Sequence, residues 1–433
     1  MGINLKGKIA LPFKLCSFEL RHQKLEAMSK SNFFTGQPIF TQLLKFIPRD
    51  LIKQLSKKHK TDYYYKKFDS YHHLIVMLFA SFQKCNSLRE LISGMLVWQN
   101  KLLHLGIKHY PCRSTLADAN GARTHEFFEE VYFSLLKLHK NKLLPDSRLK
   151  KEDRLYIMDS STFELFSDVM LGVGANSKNG KRKGGVKAHM MMNAVHLLPE
   201  ICYFSNAREN DRIIMDKIIL PAGSILVFDK GYTKFSQWHQ WTIDGLFWVT
   251  RMNKNASYEV IQKMNVSEVQ TKKGVISDEY ILLGRGTTPS TEQIPARRVV
   301  YYDKSKNRIF AFVTNAEHLK PFSIAALYKR RWLIETNFKA IKQNFQLRYF
   351  LGDTPNAIKI QLWCALIADL LIRIVMNLAH KKKKNWAFSN LCALIRMHLA
   401  TYVNIIAFLI SPVKSLRYYT PPKTQFEMQF DST

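Results

Sequence analysis

Acidic residues are the scarce class in this chain: 34 Asp and Glu stand against 65 Lys and Arg in 433 residues, a net charge of +31. A folded protein tolerates that much self-repulsion most commonly because it meets a polyanion, either nucleic acid or an anionic membrane. Proline and glycine are also few, 14 and 18, while 46% of residues are hydrophobic. This excludes a disordered basic tail and implies a large core, which at this length divides into two or three domains. The six cysteines are scattered, with no C-x-x-C pair and no histidine at zinc spacing. A zinc ribbon and a disulfide framework are both excluded. The N-terminal segment lacks the apolar run of a signal sequence and reads as not secreted. A long charge-free apolar run is missing too. The most apolar stretch, Leu362 to Ala379, carries Asp369 and Arg373 at i,i+4, where they pair on one face, so it reads as a buried helix and no membrane partner is expected.

What is present changes character along the chain. Residues 1–32 show little periodicity and read as a flexible or upstream extension, with Met28 a natural alternative start. Residues 33–150 read as a basic helical region expected to bind DNA, with apolar helical spacing from Ile39 to Leu55 and an apolar run from His72 to Phe82. The segment from Cys112 to Leu138 offers Ser114 as an N-cap and a break at Gly121; a helix-turn-helix unit and a plain packed pair both fit it. From 151 the pattern turns to strands: Arg154 to Met158, Val186 to Val195, Ile201 to Asn206, a helical stretch from Arg208 to Ile219, then Ser224 to Phe228. This order is that of a ribonuclease-H-like α/β core. Strand signals at Leu246–Thr250, Glu279–Leu283, Arg298–Tyr302 and Ile309–Val313 suggest a β-rich insertion at about 240–316, the last two forming a hairpin. A long helix is expected from Phe322 to about Phe345, and residues 351–433 read as a helical C-terminal region, a candidate for dimerisation.

Asp159 and Asp229 each end an expected strand, at the edge where open α/β sheets place ligands. Either alone reads equally well as a turn former. The third element is the helix AALYKRRWLIETNFKAIKQNF. At roughly 100° per residue, Tyr328, Arg331, Glu335 and Lys342 fall at about 0°, −60°, −20° and −40°, beside an apolar stripe near −100°. A solvated face with Arg331–Glu335 support explains that arc as readily as a site does. Three carboxylates in a basic protein nevertheless suit phosphodiester chemistry. Two hard divalent cations about 3.5–4 Å apart need oxygen ligands, activate a water or 3′-hydroxyl and stabilise the leaving oxygen. Asp159, Asp229 and Glu335 would take Mg2+, with Mn2+ as substitute, while Arg331, Lys342 and Tyr328 would hold phosphates.

The spacing Tyr328-x2-Arg331-x3-Glu335-x6-Lys342 resembles the YREK signature of bacterial insertion-sequence DDE transposases, the fourth insertion-sequence family. DSST at 159–162, VFDKGY at 227–232, FWVTR at 247–251 and VTN at 313–315 resemble the same family, over roughly residues 153–350. Phe33 to Gly94 resembles a helical domain of uncharacterised role found ahead of this core. The resemblance implies a ribonuclease-H-like DDE catalytic domain at 151–350 with a β-rich insertion before the Glu. It also implies excision and integration at terminal inverted repeats by hydrolytic nicking, hairpin formation and strand transfer, performed by a homodimer on paired ends. The partners implied are the double-stranded DNA of the element ends and of the target, met in the bacterial cytoplasm at the nucleoid. Lys230 and Arg251, inside the matching segments, are further candidates for phosphate contact. The basic loop Lys178, Lys181, Arg182, Lys183 and Lys187 and the run Lys381 to Lys384 fit DNA contact or plain solvation. No nucleotide cofactor is expected, because the glycines at 172–180 miss phosphate-loop spacing and Arg182 stands where Ser or Thr is required. Two rival readings are a DNA-binding protein that no longer cuts and a structure-selective nuclease on the same core.

Overall fold

The computed structural model describes residues 37–417 apart from 64, 66, 97, 99–100, 102–106, 108–109, 144–153, 165–184, 207–208 and 285–292. The segment at 1–32 and the basic run at 178–183 lie outside the described residues. Among the described residues, six helices come first: α1 (Ile39–Leu44), α2 (Arg49–Lys58), α3 (Ser70–Gln83), α4 (Leu88–Leu96), α5 (Arg113–Ala122) and α6 (His125–Leu143). Strands β1 (Leu155–Glu164), β2 (Gly185–Asn193), β3 (Pro199–Asn206) and β4 (Ile225–Phe228) follow, then α7 (Phe235–Ile243), β5 (Phe247–Arg251) and β6 (Tyr258–Lys263). After α8 (Glu268–Lys272) come β7 (Val275–Leu283), β8 (Ile294–Asp303) and β9 (Arg308–Thr314). The described residues close with α9 (Pro321–Lys329), α10 (Trp332–Asn344), α11 (Pro355–Lys381), α12 (Phe388–Met397), α13 (Ile405–Ile410) and α14 (Pro412–Arg417).

Among the described residues, nine strands join one sheet in the order β3-β2-β1-β4-β5-β9-β8-β7-β6. The parallel strands β1, β4 and β5 sit at its centre. Their runs LYIM, ILVF and FWVT are almost continuously apolar, as strands covered on both faces must be. The period of two divides them cleanly. Ile157, Val227 and Val249 pack into the cluster that holds Ile334, Phe338 and Ile341 of α10. Met158, Phe228 and Trp248 face the other way, onto Trp238 and Trp241 of α7. The hairpin expected around Asp303–Asn307 is present, with Tyr302 opposite Ile309. Strands β6–β9 continue the same sheet, and β5, inside the span read as insertion, pairs in parallel with β4.

Three local expectations change. β1 does not end at Asp159 but runs on to Glu164, because antiparallel pairing with β2 carries Ser160–Thr162 as strand where the parallel pairing with β4 has stopped at Met158–Phe228. The helical stretch at 208–219 is a 3-10 turn, Asp211–Lys217, started by the Asn210 side chain accepting from the Arg212 N–H. The single helix at 322–345 is two. Arg330 and Arg331 close it down to i→i+3 bonds onto Leu327 and Tyr328, so the register of Tyr328 relative to Glu335 departs from the wheel drawn above.

The 27-residue α11 organises the remaining helices, packing against α3, α5, α6, α12 and α13. It is long and apolar enough to span a membrane, but most of its length is buried in protein. Asp369 and Arg373 form the expected pair at 2.9 Å, and Arg373 also donates to Asn337 of α10 at 2.6 Å. α6 lays Phe127, Val131, Leu135 and their neighbours into this body against α11 and α2, while α5 packs on α4 and α11. The two ends of the described chain are knitted together by Ile39 and Phe40 N–H groups donating to the carbonyls of Thr401 and Leu399.

Candidate active site

Because Asp159 and Asp229 stand two residues beyond Ile157 and Val227, alternation puts both on the sheet face covered by α10. Met158 pairs with Phe228, so the two aspartates emerge side by side just where β1 and β4 part. α10 contributes Glu335 from its first turn. The Arg331 guanidinium joins the pieces: one amino group donates to Asp159 Oδ2 at 2.8 Å and the other to Glu335 Oε1. Asp229 Oδ1 accepts from the Tyr328 hydroxyl at 3.1 Å and from Arg251 at 3.2 Å. Arg251 follows Val249 by two residues and therefore shares the same face.

The charges respond to this geometry. Burial pushes Asp159 up to about 6, helped by the nearby Asp229 and Glu335 and opposed by Arg331 and the Ser160 N–H. Burial works against ionisation of Asp229 too, but Arg331, Arg251, the Tyr328 hydroxyl and the Gly231 N–H hold it below the ordinary aspartate value. Burial raises the Tyr328 phenol to about 12. Two neighbouring carboxylates are thus set apart, one reluctant to ionise and one readily ionised.

The remaining sequence candidates divide. Lys342 is on the same helix as Glu335, but its ammonium donates to Ser161 Oγ at 2.8 Å and to the Thr162 carbonyl at 2.7 Å, tying α10 to β1. It shares a cleft of about 330 Å³ with Asp159, Ser161, Glu335 and Phe338. Lys230 is exposed and lines a larger cleft of about 630 Å³ with Arg251, Lys254, Phe235 and Trp238. Met190 to Met192 are buried in β2, as core packing requires.

Two features escaped the sequence reading. Trp332, beside Arg331, is 60% exposed. An indole at about 40° on the helical wheel, far from the apolar stripe, was the available signal. Behind Asp159, Ser160 Oγ donates to Asp211 Oδ1 at 2.7 Å, and nothing in the sequence around Asn210–Asp211 singles that residue out.

Three carboxylates are the oxygen donors a hard divalent cation takes, and they are gathered here by the side-by-side strand ends of Asp159 and Asp229 and by the Arg331 link from Asp159 to Glu335. Arg331 supplies positive charge between Asp159 and Glu335, and Arg251 beside Asp229. Among the described residues, no three His, Cys, Asp or Glu side chains lie close enough to form a ready-made metal cage.

Residues 150–371 match the family described as Transposase DDE domain, and residues 35–108 match a Domain of unknown function (DUF4372). The chain is 30% identical to a putative transposase y4zB of Sinorhizobium fredii over 62% of this chain and 72% of that protein. It is 28% identical to a probable transposase for insertion sequence element IS5377 of Geobacillus stearothermophilus, over 48% of this chain and 53% of the other. A piggyBac transposase synaptic complex with hairpin DNA overlays 89% of this chain and 84% of its own at a TM-score of 0.42 and 13% identity. The family match spans more than half of the chain and includes Asp159, Asp229, Arg331 and Glu335; this protein belongs to the family of transposases built on the DDE domain.

Proposed function

We propose that this chain excises and integrates an insertion sequence, with Asp159, Asp229 and Glu335 as the catalytic carboxylates of a ribonuclease-H-like core. The observation that carries the reading is the convergence at the end of the Met158–Phe228 pair: two aspartates from adjacent parallel strands, joined to a helical glutamate by one arginine. The strand order β3-β2-β1-β4-β5, with only β2 antiparallel to its neighbours, supports the core assignment. Two magnesium ions held by these carboxylates would acidify the attacking water or 3′-hydroxyl and offset charge on the leaving oxygen.

The chain's own residues have separate tasks. Arg331 has its planar fork between two carboxylates, where it can turn to a phosphate without leaving the site. Tyr328 and Arg251 keep Asp229 ionised and oriented. Lys230 and Arg251 hold a DNA strand along the larger cleft, and Lys342 meets a phosphate in the smaller one. The Tyr328, Arg331, Glu335, Lys342 set is the YREK signature in this reading. Two copies act together, since each end must be cut and then held for joining, and the basic helical region at 33–150 grips the ends.

The test is to incubate the protein and magnesium with duplex carrying the inverted repeats beside its own gene, together with a target plasmid. Nicks exposing 3′-hydroxyls at the repeat boundary, hairpin ends and joined product are expected. Cutting confined to branched DNA with no joining would identify a structure-selective nuclease instead, and binding without cleavage would identify a DNA-binding protein.

A further inference from the structure

The face of the sheet behind the candidate active site carries a polar cluster that the reaction outlined above does not use. Alternation turns Ser160 away from Asp159, toward the layer that holds Met158 and Tyr232. There Ser160 Oγ donates to Asp211 Oδ1 at 2.7 Å. Lys187 lies 3.1 Å from the same oxygen and also donates to the Glu209 carbonyl at 2.9 Å. His189, directly opposite Ser160 in the β1–β2 ladder, is fully buried with Nδ1 at 3.7 Å from Asp211 and Nε2 on Ser205 Oγ at 2.7 Å. The Tyr232 ring is buried beside them.

The position of this cluster matters because of what β1 loses there. Through Met158 the strand is held on both edges, by β2 and by β4; from Asp159 onward it keeps β2 alone. Asp159 therefore sits where backbone pairing no longer fixes the strand from both sides. Its Oδ1 accepts from the Ser160 N–H at 2.8 Å, so the direction of its carboxylate follows the orientation of the Ser160 peptide. The tie from Ser160 Oγ to Asp211, itself balanced by Lys187, replaces the missing edge.

We propose that Asp211 is a positioning residue for the catalytic carboxylate Asp159, acting through Ser160 from the opposite face of the sheet. This rests on the reading of Asp159 as catalytic. Asp211 is placed behind the site; its oxygen serves as a hydrogen-bond acceptor and its charge is matched by Lys187. Groups that orient reacting side chains in this way typically matter to the rate by about 10- to 100-fold.

The experiment compares wild type with D211A, S160A, the D211A/S160A pair, D211N and D159N in the full-length protein. End-DNA affinity is read in calcium, thermal midpoint without metal, and single-turnover cleavage in magnesium at saturating protein. D211A is expected to cleave about 10- to 100-fold more slowly with end affinity within about twofold of wild type. S160A should match it, and the pair should be no slower than the slower single variant, because both remove one tie. D211N keeps the acceptor oxygen and should recover to within about threefold of wild type. D211A at the wild-type rate, losses that multiply in the pair, or D211N as slow as D211A would each overturn the proposal, the last by showing that the charge itself is required. D159N separates the two levels: its retained cleavage would remove the reading of Asp159, whereas its loss beside an unaffected D211A would remove the role of Asp211 alone. Should D211A fail to fold, D211N and S160A decide.

Discussion

Arg331 donates to the carboxylate of Asp159, a residue 172 positions earlier in the chain, at 2.8 Å, while its second amino group holds Glu335 one helical turn away. The tight turn at Arg330–Arg331 makes this reach possible by placing the guanidinium between the helix start and the sheet edge. The arginine thus sets one positive charge between Asp159 and Glu335, while Arg251 pairs with Asp229. R331A leaves Asp159 and Glu335 without it, so millimolar magnesium should raise the thermal midpoint of R331A more than that of wild type. Equal increments in the two proteins would show that the arginine and the ion do not address the same charges.

Asp159 gives a pH signature. Its value near 6 against 3.8 for the free side chain means that the folded protein holds a proton the unfolded chain has released. Folding stability therefore falls as pH rises from about 3.8 to about 6, and the penalty is fully present at neutral pH, on the order of 2–3 kcal/mol. D159N, which cannot ionise, should be more stable than wild type at pH 7.5 without metal, with the gain shrinking to nothing near pH 4. A thermal midpoint for D159N at or below wild type at pH 7.5 would count against the buried, charge-crowded setting of this carboxylate.

Much of this site was legible in the sequence, and the reasons differ by residue. Asp159 and Asp229 could be placed because apolar runs of strand length stop at them, and Glu335 because its wheel position flanks an apolar stripe. The continuation of β1 past Asp159 was not legible: Ser160, Ser161 and Thr162 have the composition of a turn, and it is pairing with His189, Ala188 and Lys187, far along the chain, that keeps them extended. The break at Arg330–Arg331 leaves no glycine or proline to mark it. Lys342 fell on the right face, yet its bonds to Ser161 and Thr162 depend on that unread part of β1. Asp211 became visible only once the sheet brought its turn behind Ser160.

Lys342 is expected to serve DNA as well as the fold. K342A should weaken end binding and reduce the slope of log affinity against log salt by about one phosphate contact. An unchanged slope with a lowered thermal midpoint would restrict Lys342 to tying α10 to β1.

Asp369 and Arg373 are both buried in α11, and Arg373 reaches Asn337, two residues beyond Glu335. R373A leaves the Asp369 carboxylate without its partner and should lower stability by about 3–5 kcal/mol, read from the urea midpoint. Replacing both residues by Leu and Met should recover much of that loss, since the uncompensated buried charge is then gone. A double variant less stable than R373A would show that the pair contributes more than neutralisation.

In the proposed reaction, Asp159, Asp229 and Glu335 perform the cleavage that the surrounding cations only support. Single-turnover cleavage of end-containing duplex in magnesium, by D159N, D229N and E335Q at saturating protein, tests it most directly. Each variant should bind ends within a few-fold of wild type and lose at least about a thousandfold in rate. Cleavage within about tenfold of wild type by any one of the three would contradict the assignment of that carboxylate.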